Sequence, residues 1–283
     1  MTERLLTDMA RFNPITSVRQ AVWRVRDYFH FQPMAGFRAR EVTRGAFSSL
    51  AVAETLKSRG ICVLENYLSA EALKAYQTSW NDLELSPPYP DSPDMEPNSL
   101  IARIDFVKHP IFADLVLDDL VLAGIEAYYG RPISLVVPQA WRLDPIEPYE
   151  GTAFRWHHDC KGKYVKAMWL ITDVPPNGQR MSYIAGSHSI KHRWTSYEET
   201  RFTDEQVKDC GERVECAAPA GSVVIFDTNG FHRGNRNLGP TRDTIYGTYS
   251  AGRYRLGCEF DLATLPHLSE WQKAVLLRSR TPS

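Results

Sequence analysis

In the stretch Arg155-Trp156-His157-His158-Asp159-Cys160, two imidazoles and a carboxylate stand almost side by side. These are metal-ligand types, and what matters is which of them face the same way. On an extended strand, side chains alternate between faces. Arg155, His157 and Asp159 then share one face, and Phe154, Trp156 and His158 share the other. His157 and Asp159 converge on one ion in this reading. His158 points away as a packed or hydrogen-bonded neighbour.

Two ligands do not complete a site, and the third must come from a distant strand. His232, in GSVVIFDTNGFHRGN, closely follows a buried strand-like run and a turn-like Thr228-Asn229-Gly230. His188, in AGSHSIKH, is the second candidate and ranks lower, because its surroundings are polar and turn-rich. Two neutral imidazoles and one carboxylate with open positions form the facial triad of non-haem Fe(II) oxygenases. A zinc hydrolase uses the same ligand types, so the ligands alone leave the metal open, as they do a binding module without turnover. Arg242 lies ten residues beyond His232. That spacing lets the chain turn and enter the next strand with a guanidinium facing inward, where it makes a two-pronged bond to a carboxylate. A cosubstrate with a keto acid on iron and a second carboxylate on an arginine matches 2-oxoglutarate.

The elements that must position these residues change along the chain. Leu50, Ala53 and Leu56 share a helical face that stops at Gly60, and ICVLE (61–65) reads as a short buried strand. Ser69 opens a helix with Leu73, Tyr76 and Trp80 inward, and a helical stretch follows His109-Pro110 and ends at Gly130. Between them, residues 86–97 hold five prolines and form a loop, with a lid that sets specificity as the functional expectation. After Pro132 the texture becomes strand-like: ISLVVPQAW, TAFRWHHD, KYVKAMWLITDV, GSVVIFDT and DTIYGTYSA, separated by Pro, Gly, Asn and Asp. Helices followed by a run of strands predict an α+β chain, mainly β in its core, whose sheets pack as a sandwich or barrel.

The organisation expected is an N-terminal helical appendage over residues 1–45 and one domain over 46–283. Ser17 would cap a helix with Val18, Val22, Val25 and Phe29 on one face and Arg19, Arg24 and Arg26 among them. Packing on the domain with solvated arginines is preferred to a membrane-touching helix. A net charge of −1 gives no field favouring nucleic acid. Five widely spaced cysteines without a C-x-x-C pair argue against a thiolate zinc site and for a reduced, cytoplasmic setting. The opening MTERLLTDMARFNP does not read as a secretory signal, and no segment approaches a membrane span.

Taken together, the boxes resemble the phytanoyl-CoA dioxygenase type of Fe(II)- and 2-oxoglutarate-dependent dioxygenases. RGICVLENYLSAEAL resembles that family's opening strand and helix, and WHHD its Trp-His-x-Asp box. MWLITDVPPNGQRMSYIAGSH resembles its stretch from a tryptophan through Asn-Gly to Gly-Ser-His, and GSVVIFDTNGFHRGN with Arg242 its distal-histidine box and arginine. The likeness runs from about Leu56 to Tyr249. It implies a double-stranded β-helix (jelly-roll) core flanked by helices. His157, Asp159 and His232 would hold iron, and Arg242 the far carboxylate of 2-oxoglutarate. Trp169 would line the cosubstrate pocket, with Gln139 and Arg103 as further cosubstrate contacts. Dioxygen would be the second cosubstrate, and the outcome hydroxylation of an unactivated C–H bond of a small metabolite or natural-product intermediate, with release of succinate and CO2.

The sequence departs from the family pattern at His158, where glutamine is frequent, and lacks an acidic residue before Asn177-Gly178. Asp159 is kept, which argues against halogenation, where a small residue stands instead. Arg155, Lys161, Lys163 and Lys166 surround the metal box, and Arg233 and Arg236 flank the distal histidine. They read first as a solvated strand edge, and second as a lure for an anionic, carrier-linked or lipid-like substrate. Oligomeric state is left open.

Overall fold

A computed structural model describes residues 32–91, 96–147, 155–159, 164–189, 201–252, 257 and 259–278 of the chain. Contacts divide the chain between Gln32 and Pro33, and the larger unit carries everything described below. The helix expected from Ser17 lies outside the described residues. Residues after Pro33 belong to the larger unit: Met34 N–H donates to Gly130 O, and β1 (Thr43–Arg44) pairs with β2 (Phe47–Ser48) in a short hairpin.

Helix α1 (Ser49–Arg59) ends at Gly60, whose φ of 76° is the left-handed conformation that favours glycine. Its buried face is Ser49, Val52, Ala53 and Leu56, whereas Leu50 is 42% exposed. The expected stripe was thus displaced by one side chain, because Val52 and not Leu50 meets the next helix layer. β3 (Ile61–Leu64) follows, then α2 (Ala70–Trp80), which Ser69 caps by accepting from Ala72 N–H. β4 (Ser99–Arg103) leads to two helices, α3 (Ile111–Val116) and α4 (Asp119–Tyr129), where the sequence suggested one helical stretch. The break is at Asp118, whose carboxylate accepts from Leu120 and Val121 N–H and starts a new helix. Val52 packs on Gly124 of α4, where a Cβ would lie 2.8 Å from its Cγ1.

The remaining strands are β5 (Ser134–Leu143), β6 (Tyr164–Leu170), β7 (Met181–Ile184), β8 (Arg213–Cys216), β9 (Val223–Asp227), β10 (His232–Gly234) and β11 (Arg242–Ser250). Short helix α5 (Asp204–Val207) precedes β8, and α6 (Glu270–Leu277) closes the described chain. The strands form a six-stranded antiparallel sheet in the order β3-β9-β6-β11-β5-β4 and a three-stranded sheet β10-β7-β8. Met168, Leu170, Val224 and Phe226 from the large sheet pack with Met181, Tyr183 and Cys216 from the small one. This is the face-to-face arrangement expected of a jelly roll.

Register decides which residues look into the space between the sheets. Lys166 stands opposite Thr248 and Phe226, and Tyr246 opposite Met168 and Gln139. These share the inner face. Val165, Ala167, Trp169, Ile225, Ile245 and Tyr249 take the reverse face and are fully buried, whereas Lys166, Tyr246 and Gln139 on the inner face are partly exposed to the cavity. Helices cover that side, as the Tyr249 hydroxyl bond to Val116 O shows. Apolar side chains on both faces explain why β6 and β9 read as nearly unbroken apolar runs.

Asp118 ties three elements together. Besides capping α4, it accepts from the Tyr67 hydroxyl at 2.5 Å and pairs with Arg44 at 2.6 Å. Replacing it by alanine removes the cap and strands a buried hydroxyl. Asp118→Ala is expected to lose about 2–4 kcal/mol of stability, and Tyr67→Phe about 1 kcal/mol, measured by denaturant unfolding. A loss for Asp118→Ala no larger than that for Tyr67→Phe would show that the cap is not what holds α4.

Candidate metal centre

The two histidines are brought together by backbone. His157 N–H donates to His232 O at 2.9 Å, and His232 N–H returns to His157 O at 2.8 Å, an antiparallel bridge between directly opposed residues. Opposed side chains project on the same side, and the rings lie 4.4 Å apart between centroids. The metal box is therefore not a full strand among the described residues. It is a pair of bridges, His157 to His232 and Trp156 to Phe202, each facing a different partner.

The expected alternation holds along it. Asp159, anchored by its N–H to Thr228 O, returns to the side of His157. His158 stays outside the cluster: its ring packs on Phe202 and Phe231, although the residue also borders the cavity on which the cluster opens. Trp156 is buried, donating Nε1–H to Asp204 at the start of α5. One ligand atom from each of His157, Asp159 and His232 falls within 4.8 Å of the others, and Asp159 Oδ1 lies 3.8 Å from His232 Nε2. His188 is elsewhere: its Nε2 meets Lys57 O near the end of α1, and its ring abuts Gly60.

Each imidazole is oriented by a carbonyl. His157 Nδ1 lies 3.0 Å from Arg155 O, and His232 Nδ1 lies 2.9 Å from Gly230 O. Nδ1–H is thereby the donor, and Nε2 keeps its lone pair for a cation. Burial, then the neighbouring His232, pushes the His157 pKa down to about 3. Burial likewise lowers that of His232. For Asp159, burial alone would raise the carboxyl, but Lys166 and the two imidazoles outweigh it and hold it well below the usual range. The set is thus two neutral imidazoles and a carboxylate, the donor chemistry of a divalent transition metal with positions left open.

The loop before His232 is built to place it. β9 ends at Asp227, whose carboxylate accepts from Asn229 N–H at 2.8 Å and from the Tyr128 hydroxyl at 2.5 Å. The Tyr183 hydroxyl donates to Asp227 O, and Phe231 N–H donates to Ser187 Oγ. Gly230 is required by close approach, since a Cβ there would lie 1.9 Å from the Tyr183 oxygen. Tyr183 is also the register partner of His232, with its ring 17° from parallel.

The triad opens on a cavity of about 450 Å³ between the sheets. Arg242 lines it, 5% exposed, with Nε and Nη1 lacking a partner among the described residues. Burial pushes its guanidinium below the ordinary range. A buried cation with unused donors is what a carboxylate ligand would satisfy. Gln139 lines the same cavity, while Arg103, opposite it on edge strand β4, is exposed and is not part of the lining. Trp169 corrects the expectation drawn from the family. It lies three residues from Lys166 on a regular strand, so it takes the reverse face and is absent from the cavity wall. Its indole N–H has no partner among the described residues.

Lys166 is the residue that the sequence reading misplaced. β6 is flanked by β9 and β11, so it has no free edge, and Lys166 reaches inward to Asp159 Oδ2 at 2.7 Å. A lone lysine in the apolar run YVKAMWL was the signal for it. Arg233 is likewise committed, stacked 4.5 Å over Trp156 and paired with Asp204 at 3.0 Å. Lys161 and Lys163 lie outside the described residues. Tyr89 and Glu96 of the proline-rich stretch line the cavity, and residues 92–95 lie outside the description.

The choice between the two candidate third ligands is directly measurable. His232→Ala is expected to weaken binding of a divalent metal such as Mn(II) beyond the ~10–100-fold cost of losing an outer partner. His188→Ala should leave it unchanged in the same anaerobic titration. The reverse result would remove His232 from the ligand set.

Comparison with known proteins gives the family of the chain. The phytanoyl-CoA dioxygenase (PhyH) family matches residues 56–243. The ectoine dioxygenase of Stutzerimonas stutzeri (strain A1501) is 26% identical over 229 residues, 70% of this chain and 75% of that protein. The ectoine dioxygenase of Sphingopyxis alaskensis is 26% identical over 255 residues, 76% and 80% of the two chains. Among solved structures, EctD from S. alaskensis with bound Fe superposes with a TM-score of 0.57 at 18% identity, covering 89% of this chain and 92% of its own. The 2-oxoglutarate-dependent carbocyclase SnoK from nogalamycin biosynthesis gives 0.56 at 19%, covering 77% and 90%. The chain belongs to the phytanoyl-CoA dioxygenase family and is an iron- and 2-oxoglutarate-dependent dioxygenase.

Proposed function

We propose that this enzyme hydroxylates an unactivated C–H bond of a small metabolite or natural-product intermediate, releasing succinate and CO2. The observation that carries the reading is a buried Arg242 with unused donors facing the same cavity as the His157–Asp159–His232 triad. Nε2 of the two histidines and Oδ1 of Asp159 would hold Fe(II), and Arg242 would hold the distal carboxylate of 2-oxoglutarate. Gln139 supplies an amide on the same wall. When bound, iron and 2-oxoglutarate supply the oxidising power, through dioxygen activation coupled to decarboxylation.

The chain's own groups position and shield. Lys166 neutralises the second oxygen of Asp159, which keeps the first directed at the metal. Phe226 and Met181 close the cavity with apolar surface and keep water from the reacting centre. A volume of about 450 Å³, shared with the cosubstrate, suits a compact molecule more than a carrier-linked or lipid-like one. Hydroxylation is preferred because both curated relatives are ectoine dioxygenases, and one solved relative, EctD, holds 2-oxoglutarate and 5-hydroxyectoine. Asp159 stands against halogenation, and family membership disfavours a zinc hydrolase or a module without turnover. No described helix is long and apolar enough to cross a membrane. A cytoplasmic setting belongs to the same reading, supported by the free thiols Cys62 and Cys216.

Two measurements test it. Asp159→Ala should abolish succinate release from 2-oxoglutarate in the iron-loaded enzyme, and near-normal turnover would remove Asp159 from the centre. Arg242→Ala should raise KM for 2-oxoglutarate roughly 30-fold, the loss of about 2 kcal/mol of charge-assisted hydrogen bonding. An unchanged KM would place the carboxylate elsewhere.

A further inference from the structure

Arg242 is not the only buried guanidinium on this cavity. Arg236 follows β10 by two residues, and its side chain folds back against Gly234, where a Cβ would meet Nη1 at 3.0 Å. It lines the cavity and is 5% exposed, as buried as Arg242. Its contacts among the described residues are long: Nη2 to Ser99 Oγ at 3.4 Å and to Glu96 Oε2 at 3.8 Å. Nε and Nη1 of Arg236, like Nε and Nη1 of Arg242, have no partner among the described residues. Unsatisfied buried donors on a cation are costly, so their retention points to a ligand.

Sheet register places the two arginines at one end of the cavity. Ser99, Leu143 and Arg242 form one row across β4, β5 and β11, and Arg236 reaches from the opposite sheet to Ser99. Besides burial, the charge of Arg236 helps to lower the Arg242 pKa, as expected of near neighbours. Of the carboxylates on the cavity wall, Asp159 is committed to Lys166 and the metal position, which leaves Glu96. Arg242, Arg236 and Glu96 together carry one net positive charge, which favours an incoming carboxylate.

The geometry points to a two-arginine clamp, in which Arg236 shares with Arg242 the distal carboxylate of 2-oxoglutarate and sets selectivity for a 2-oxo diacid over a 2-oxo monoacid. This rests on the reading of Arg242 given above. The test titrates the Mn(II)-loaded full chain, without dioxygen, with 2-oxoglutarate and with 2-oxopentanoate, which lacks the distal carboxylate. Arg236→Gln is expected to weaken 2-oxoglutarate roughly tenfold or more, while affinity for Mn(II) and for 2-oxopentanoate stays unchanged. An unchanged ratio between the two acids overturns the clamp, whether neither acid weakens or both weaken equally. Wild-type enzyme with no preference for the diacid overturns the reading of Arg242 and the clamp with it. If Arg236→Gln fails to bind Mn(II), Arg236→Lys keeps the charge without the fork. It should then show a smaller loss confined to 2-oxoglutarate, and equal loss in both acids overturns the clamp.

Discussion

Everything at this centre depends on two backbone hydrogen bonds between His157 and His232. They join chain segments far apart in sequence and put two imidazoles on the same side of a bridge. Side-chain bonds then refine the placement. The carbonyls of Arg155 and Gly230 set the ring orientations, and the N–H of Asp159 is tied to Thr228 on the loop that carries His232. A one-residue slip of this bridge would turn one ring out of the site. The turn at Asp227–Gly230, locked by Tyr128 and Tyr183, guards against that slip.

The same cavity concentrates charges that burial makes expensive. A buried ion left without its partner costs about 3–5 kcal/mol, and the chain meets this differently at different points. Asp159 is compensated by Lys166, and Arg142 on the reverse face by a two-pronged pair with Asp243. Nε and Nη1 of both Arg242 and Arg236 have no partner among the described residues. On the proposed reading, the donors left over at Arg242 and Arg236 are the ones a ligand would meet. Arg233, next to His232 in sequence, stacks on Trp156 and pairs with Asp204, which pins α5 beside the metal box, although its Nε too lacks a partner among the described residues.

Much of the architecture was legible because local rules and packing agree. Gly60 and Gly130 end helices in the left-handed conformation, and Ser69 caps α2. The strand-like runs after Pro132 became the two sheets. The failures have physical causes. Periodicity could not distinguish Leu50 from Val52 as the buried side chain, since both lie near the helix stripe. One apolar stretch hid two helices, because the stop at Asp118 is a capping bond and not a change in hydropathy. Lys166 was read as an edge lysine because strand order within a sheet leaves no local trace.

The sequence by itself determined the ligand types, the convergence of His157 with Asp159 and the separation of His158 from that pair, because alternation along an extended chain is local geometry. It also carried the boxes that mark the family. Only the tertiary structure decided that His232 and not His188 completes the cluster, that Trp169 faces away from the cavity while Lys166 enters it, and that Arg236 joins Arg242. Those outcomes follow from strand order, register and the packing of two sheets. They depend on contacts between residues tens to hundreds of positions apart, which no local pattern encodes.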